Sequence, residues 1–125
     1  MNRILSFGVA LAAVASLSAP VFAHHGGAAF DQTKNTSFNG VVTEMMFTNP
    51  HVLIYWTANV DGKEEMWSGW LTAPNKLARA GWTKSTLKPG DHIQVSGTPH
   101  KSGSHILQIK KLVAPDGKEL PLFEQ

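Results

Sequence analysis

Cysteine is absent from this chain, and that one absence removes disulfides, thiol nucleophiles and thiolate metal sites together. Whatever chemistry the protein performs must come from His, Asp, Glu, Met or hydroxyl groups. Charge is scarce too, at 16% of residues, and nearly balanced, with 11 Lys and Arg against 9 Asp and Glu. Such a balance gives no electrostatic footing for nucleic acid or for an anionic membrane surface. Catalytic signatures are missing: Ser68-Gly69 lacks the residues of a nucleophile elbow, and no phosphate-cradling loop occurs. Glu64 and Glu65 are adjacent on a strand pattern and point to opposite faces, while Asp31, Asp61, Asp91 and Asp116 fall mostly in turn signals. No enzymatic role is expected. There is no internal repeat and no low-complexity tract.

What is present begins with an address. Arg3 precedes an apolar and small-residue run from Ile4 to Leu17, too short to span a bilayer, and Pro20-Val21-Phe22-Ala23 has the small residues a signal peptidase requires. Residues 1–23 therefore read as a cleaved signal peptide, with a periplasmic or secreted protein beginning His24-His25-Gly26-Gly27 and no stable membrane anchor after cleavage. About 100 residues remain, enough for one small domain with a modest core. Residues 24–36 show little periodicity and read as an N-terminal arm, with Phe30 as its docking residue.

From residue 37 to the end of the chain the pattern is that of strands. Ser37 to Phe47 alternates, with Phe38, Gly40, Val42, Glu44 and Met46 on one face and Gly40 positioned for a bend or bulge. Thr48-Asn49-Pro50-His51 is a corner, because Pro50 has no amide donor and restricts Asn49. His51 to Ala58 is a second strand, Asp61-Gly62 a hairpin turn, and Lys63 to Trp70 a third strand antiparallel to the second. Thr72 or Ala73 as N-cap, Pro74 in the first turn and Gly81 as terminator mark a short helix near residues 73–80. Leu87-Lys88-Pro89-Gly90-Asp91 turns into a fourth strand ending at Gly97, and the Lys101–Ser104 loop leads into a fifth over His105 to Val113. Leu120, Leu122 and Phe123 form a short closing segment. Three strands, a helix and a two-strand hairpin are the order of a five-stranded OB-like barrel, so an all-β fold with one short helix between strands 3 and 4 is expected. Val42, Ile54, Trp56, Leu77, Ile93, Val95 and Ile109 should share its core.

His24-His25 behind the leader, Thr48-Asn49-Pro50-His51, Ala73-Pro74-Asn75, Gly81-Trp82-Thr83 and Leu87-Lys88-Pro89-Gly90-Asp91 together resemble an uncharacterised family of small exported bacterial proteins, a domain of unknown function. The resemblance spans nearly the whole mature chain. It implies a periplasmic location and no assigned activity.

Two constellations remain. Six histidines in a cysteine-free chain are its nitrogen ligands. Cleavage after Ala23 gives His24 a free α-amine, and amine plus imidazole make a chelate suited to copper or another transition metal. His25 through its backbone amide nitrogen, or His51 if the arm folds back over the corner, would supply a further donor. The plainer reading is a terminus that binds metal adventitiously and a His51 that hydrogen-bonds its own turn. His92, His100 and His105 lie around the last hairpin, where His100 and His105 can face each other, and Met45, Met46 or Met66 can offer thioethers; exposed strand histidines and core methionines explain them equally. The second constellation is Tyr55, Trp56, Trp67 and Trp70 on strands 2 and 3, the face on which OB barrels bind extended ligands. The alternative function is thus a non-catalytic module whose aromatic face takes up an oligosaccharide, peptide or protein partner, unless those tryptophans are core.

Overall fold

The structure, a computed structural model, describes residues 27–123. The expected signal peptide, His24 and His25 lie outside the described residues. The elements are β1 (Thr36–Met46), β2 (Leu53–Val60), β3 (Lys63–Trp70), α1 (Pro74–Arg79), β4 (His92–Pro99) and β5 (Ile106–Val113). They form a closed barrel in the order β1-β2-β3-β5-β4, with β4 returning to β1. All neighbours are antiparallel except β3 and β5, which run parallel through only three residue pairs, Ser68 with Ile106, Gly69 with Leu107 and Trp70 with Gln108. The expected five-stranded barrel, with its short helix between the third and fourth strands, is the observed one.

Alternation explains the core. Ile54, Trp56 and Ala58 of β2 point inward, where Phe38 and Val42 of β1, Ile93 and Val95 of β4 and Leu107, Ile109 and Leu112 of β5 meet them. Burying such a side chain contributes roughly 2 kcal/mol or more. Helix α1 is short because Pro74 opens it and Gly81, at φ +95°, follows its end. Its one fully buried residue, Leu77, joins Leu71, Trp82 and Leu87 in the core. The segment after β5 turns back: the Leu120 N–H donates to the Leu112 carbonyl (2.8 Å) and Trp82 Nε1–H to the Pro121 carbonyl (2.9 Å).

Two details differ from the alternating pattern. The face shared by Phe38, Gly40 and Val42 does not continue through Glu44 and Met46, because the register skips Thr43, pairing Val42 with Trp56 and Glu44 with Tyr55. Met45 is thereby turned to the core and Met46 left 38% exposed. Gly40 is not the bulge. It pairs regularly with Ala58, and an added Cβ there would lie 2.5 Å from Trp56 Cδ1, so glycine makes room for the largest core side chain. A second irregularity skips Lys110, between the Ser96–Lys111 and Gly97–Ile109 pairs. Both bulges carry the same trace, two consecutive polar residues inside an alternating strand: Thr43-Glu44 and Lys110-Lys111.

Candidate functional site

β2 begins just after the corner at Asn49-Pro50-His51, and pairing with β3 extends past the named strands through Val52 N–H to the Thr72 carbonyl (3.1 Å) and Leu71 N–H to the Val52 carbonyl (2.9 Å). His51 shares the outward parity of Leu53 and Tyr55. Its imidazole stacks on Trp70, with ring centroids 5.4 Å apart at 23°, and its Nδ1 lies 2.9 Å from the Leu71 carbonyl oxygen. A carbonyl only accepts, so Nδ1 carries the proton. In the neutral ring the lone pair is then on Nε2, the state in which a histidine coordinates a metal while its other nitrogen is held in place.

Trp70 also meets the arm. Phe30, 1% exposed, packs edge-on against Trp70 at 5.7 Å and against His100 at 5.4 Å. It lies on the outside of the barrel wall, the face that Trp70 shares with Gln108, rather than among the core residues. Backbone bonds fix it there: Asp31 N–H to the Pro99 carbonyl (2.8 Å) and Lys101 N–H to the Ala29 carbonyl (2.9 Å). Gln32 Nε2 adds a bond to Gln108 Oε1 at 3.2 Å. The following turn is tied by Asp31, whose carboxylate accepts from the Thr33 hydroxyl and backbone N–H. Those bonds, the hydroxyl first, with Lys34 adding to them, hold Asp31 below the ordinary aspartate range. A lowered carboxylate favours the folded turn above its unfolded value, and that contribution is lost only as pH falls through the lowered one.

The aromatic residues of β2 and β3 do not share one face. Trp56 is fully buried, and Trp67, directly across from it, points the same way and packs on Phe38 at 4.4 Å. Tyr55 and Trp70 have the opposite parity, Trp70 standing opposite Leu53. A four-ring platform is therefore not formed: Trp56 belongs to the core, and the outward pair of Tyr55 and Trp70 is separate from Trp67.

His100 and His105 turn to different partners. The Ser102 N–H donates to His100 Nδ1 at 3.1 Å, which places the neutral proton on Nε2 and commits the other nitrogen to the loop. His105 stacks flat on Trp67, 4.6 Å and 12°, with Nδ1 3.3 Å from the Met66 carbonyl and Nε2 3.7 Å from Glu65 Oε2. This Glu65–Trp67–His105 cluster was not legible in the chain, since it depends on the parallel β3–β5 closure; only the period-two spacing of Glu65 and Trp67 hinted at it. His92 is exposed on β4 opposite Val41. Met66 is 61% exposed and pairs with Thr57, three outward positions along β2 from His51. Among the described residues no three His, Asp or Glu side chains gather to hold a metal, and no helix is long and apolar enough to cross a membrane.

Residues 11–107 fit the sequence pattern of a family described as a family of unknown function, DUF6152, an interval that takes in the His51 corner, the helix and the first four strands. No curated protein and no solved structure matches the chain.

Proposed function

We propose, for a chain that belongs to this family of unknown function, that the exported protein binds a transition metal, copper foremost, through the His24 amine and imidazole with His25 or His51 as further nitrogen donors. The observation that carries the reading is the orientation of His51. Its Nδ1–H is held by the Leu71 carbonyl and its ring by Trp70, so Nε2 is presented as a pre-oriented lone pair. The docked arm adds to it. Phe30 touches the same Trp70 ring that His51 stacks on, and the six residues from His24 to Phe30 span at most about 20 Å. A chain that short can return its terminus to the corner. Nitrogen donors of this kind favour Cu(II), which heads the affinity order of the divalent metals.

The test is a copper titration of the protein beginning at His24 beside one carrying three extra glycines before it, which leaves no histidine at the second or third position from the terminus. The three-glycine extension separates the terminal amine from His24 and leaves every side chain in place. The extended form should lose at least ten-fold in Cu(II) affinity and change its visible spectrum, and His51→Ala should lose a similar factor. Equal affinity and identical spectra for the two N-termini would defeat the amine-based site.

A further inference from the structure

We infer a second cation site, independent of the His51 corner, formed by Glu65 of β3 and His105 at the entry to β5. Both donors are already oriented. The Met66 carbonyl accepts from His105 Nδ1 (3.3 Å), and the indole Nε1–H of Trp67 donates to Glu65 Oε2 (2.9 Å). Trp67 also fixes the imidazole plane by stacking on it. With Nδ1 carrying the proton, the neutral ring aims its Nε2 lone pair at a carboxylate oxygen 3.7 Å away. Two electron-rich atoms facing each other repel unless a cation lies between them.

A proton can fill that role, and so can a metal. Donors each about 2.0–2.2 Å from a metal stand roughly 3.3–3.6 Å from each other at the tetrahedral angle, so the observed gap needs little adjustment. Orienting bonds to both ligands are the outer-shell pattern of metal-bound His and carboxylate. One imidazole nitrogen and one carboxylate oxygen suit borderline divalent ions such as Zn2+ and Cu2+. The side chains are 47% and 26% exposed, which leaves the remaining coordination positions to water and makes the ion exchangeable. The Met66 thioether is not a ligand, because alternation along β3 sends it to the face opposite Glu65 and Trp67.

The site stands apart from the one proposed above. Glu65 and Trp70 are five residues apart on β3, about 16 Å along the strand, and they have opposite parity. The experiment uses Zn2+ alone and the form with three glycines before His24, followed by imidazole resonances in NMR. The His105 signals should shift with the first equivalents of Zn2+, and Glu65→Gln should weaken that response at least ten-fold. Glutamine keeps an oxygen for the Trp67 indole, so an unchanged stack, read from the Trp67 and His105 ring shifts, separates loss of a ligand from loss of structure. His51→Ala should leave the response as it was. An unperturbed His105, or a Glu65→Gln variant that answers Zn2+ as strongly as the parent, overturns the site whatever happens at the N-terminus.

Discussion

Gly97→Ala should lower the stability of the barrel by at least about 3 kcal/mol, and so bring its thermal midpoint down by roughly 15–20 °C in a domain of this size. Gly97 lies in β4 at the register shift against β5. A Cβ there would fall on the Gln108 carbonyl oxygen, with the Gln108 carbonyl carbon at 2.9 Å and Ile109 Cα at 3.0 Å. Every one of those atoms is backbone, so relief requires the two strands to part. Gly69→Ala provides the contrast, because its Cβ would meet the flexible end of the Ile109 side chain and the Trp56 ring edge at 2.9 Å. Side chains can move where a sheet cannot, and Gly69→Ala should cost clearly less. Circular dichroism melts of the two variants decide the matter. Equal losses would mean that the barrel yields at the β4–β5 seam as readily as its side chains do.

Phe30→Ala should release the arm while sparing the barrel. Truncating a buried Phe commonly loses about 3–5 kcal/mol, but Phe30 is packed outside the wall against Trp70 and His100 and is not one of the clustered core residues. The penalty then falls on local opening rather than on global unfolding. The amides of Asp31 and Lys101, which bond across to Pro99 and Ala29, should exchange with solvent about a hundredfold faster, a factor equivalent to about 2.7 kcal/mol. Amides inside β2 should keep their protection. If they accelerate equally, the arm is part of one cooperative unit and not a strap upon it. Should copper bind as proposed, the same variant should also weaken it, since an undocked terminus must be ordered when the ion arrives.

The fold was legible because it is written in local patterns. Period-two alternation, Asp61-Gly62 and the Pro74 to Gly81 helix signals depend on neighbours in sequence, and Lys63–Trp70 was bounded correctly by them. The bulges escape a period-two reading for a physical reason: each lies where two adjacent polar residues, Thr43-Glu44 or Lys110-Lys111, interrupt alternation, while Gly40, which has the conformational freedom for a bulge, pairs regularly. His51 could be placed at a corner from Asn49-Pro50, but the proton position on its ring follows from Leu71, twenty residues away. The Glu65–His105 pair is further out of reach. Nothing near either residue tells that β3 and β5 will lie side by side.

That parallel contact has a kinetic side. The three pairs from Ser68–Ile106 to Trp70–Gln108 join segments about forty residues apart, whereas the β2–β3 hairpin closes across two. Chain entropy opposes the long closure until the hairpins on either side exist. The barrel should thus assemble as a β1–β2–β3 meander and a β4–β5 hairpin that meet late, with the seam between β3 and β5 as the last part to form and the first to part. Trp70 and Gln108 stand in that seam, and the arm reaches both through Phe30 and Gln32. The segment before β1, made ahead of every strand, would then be among the last to find its place, fastened across a join whose two halves are synthesised long after it.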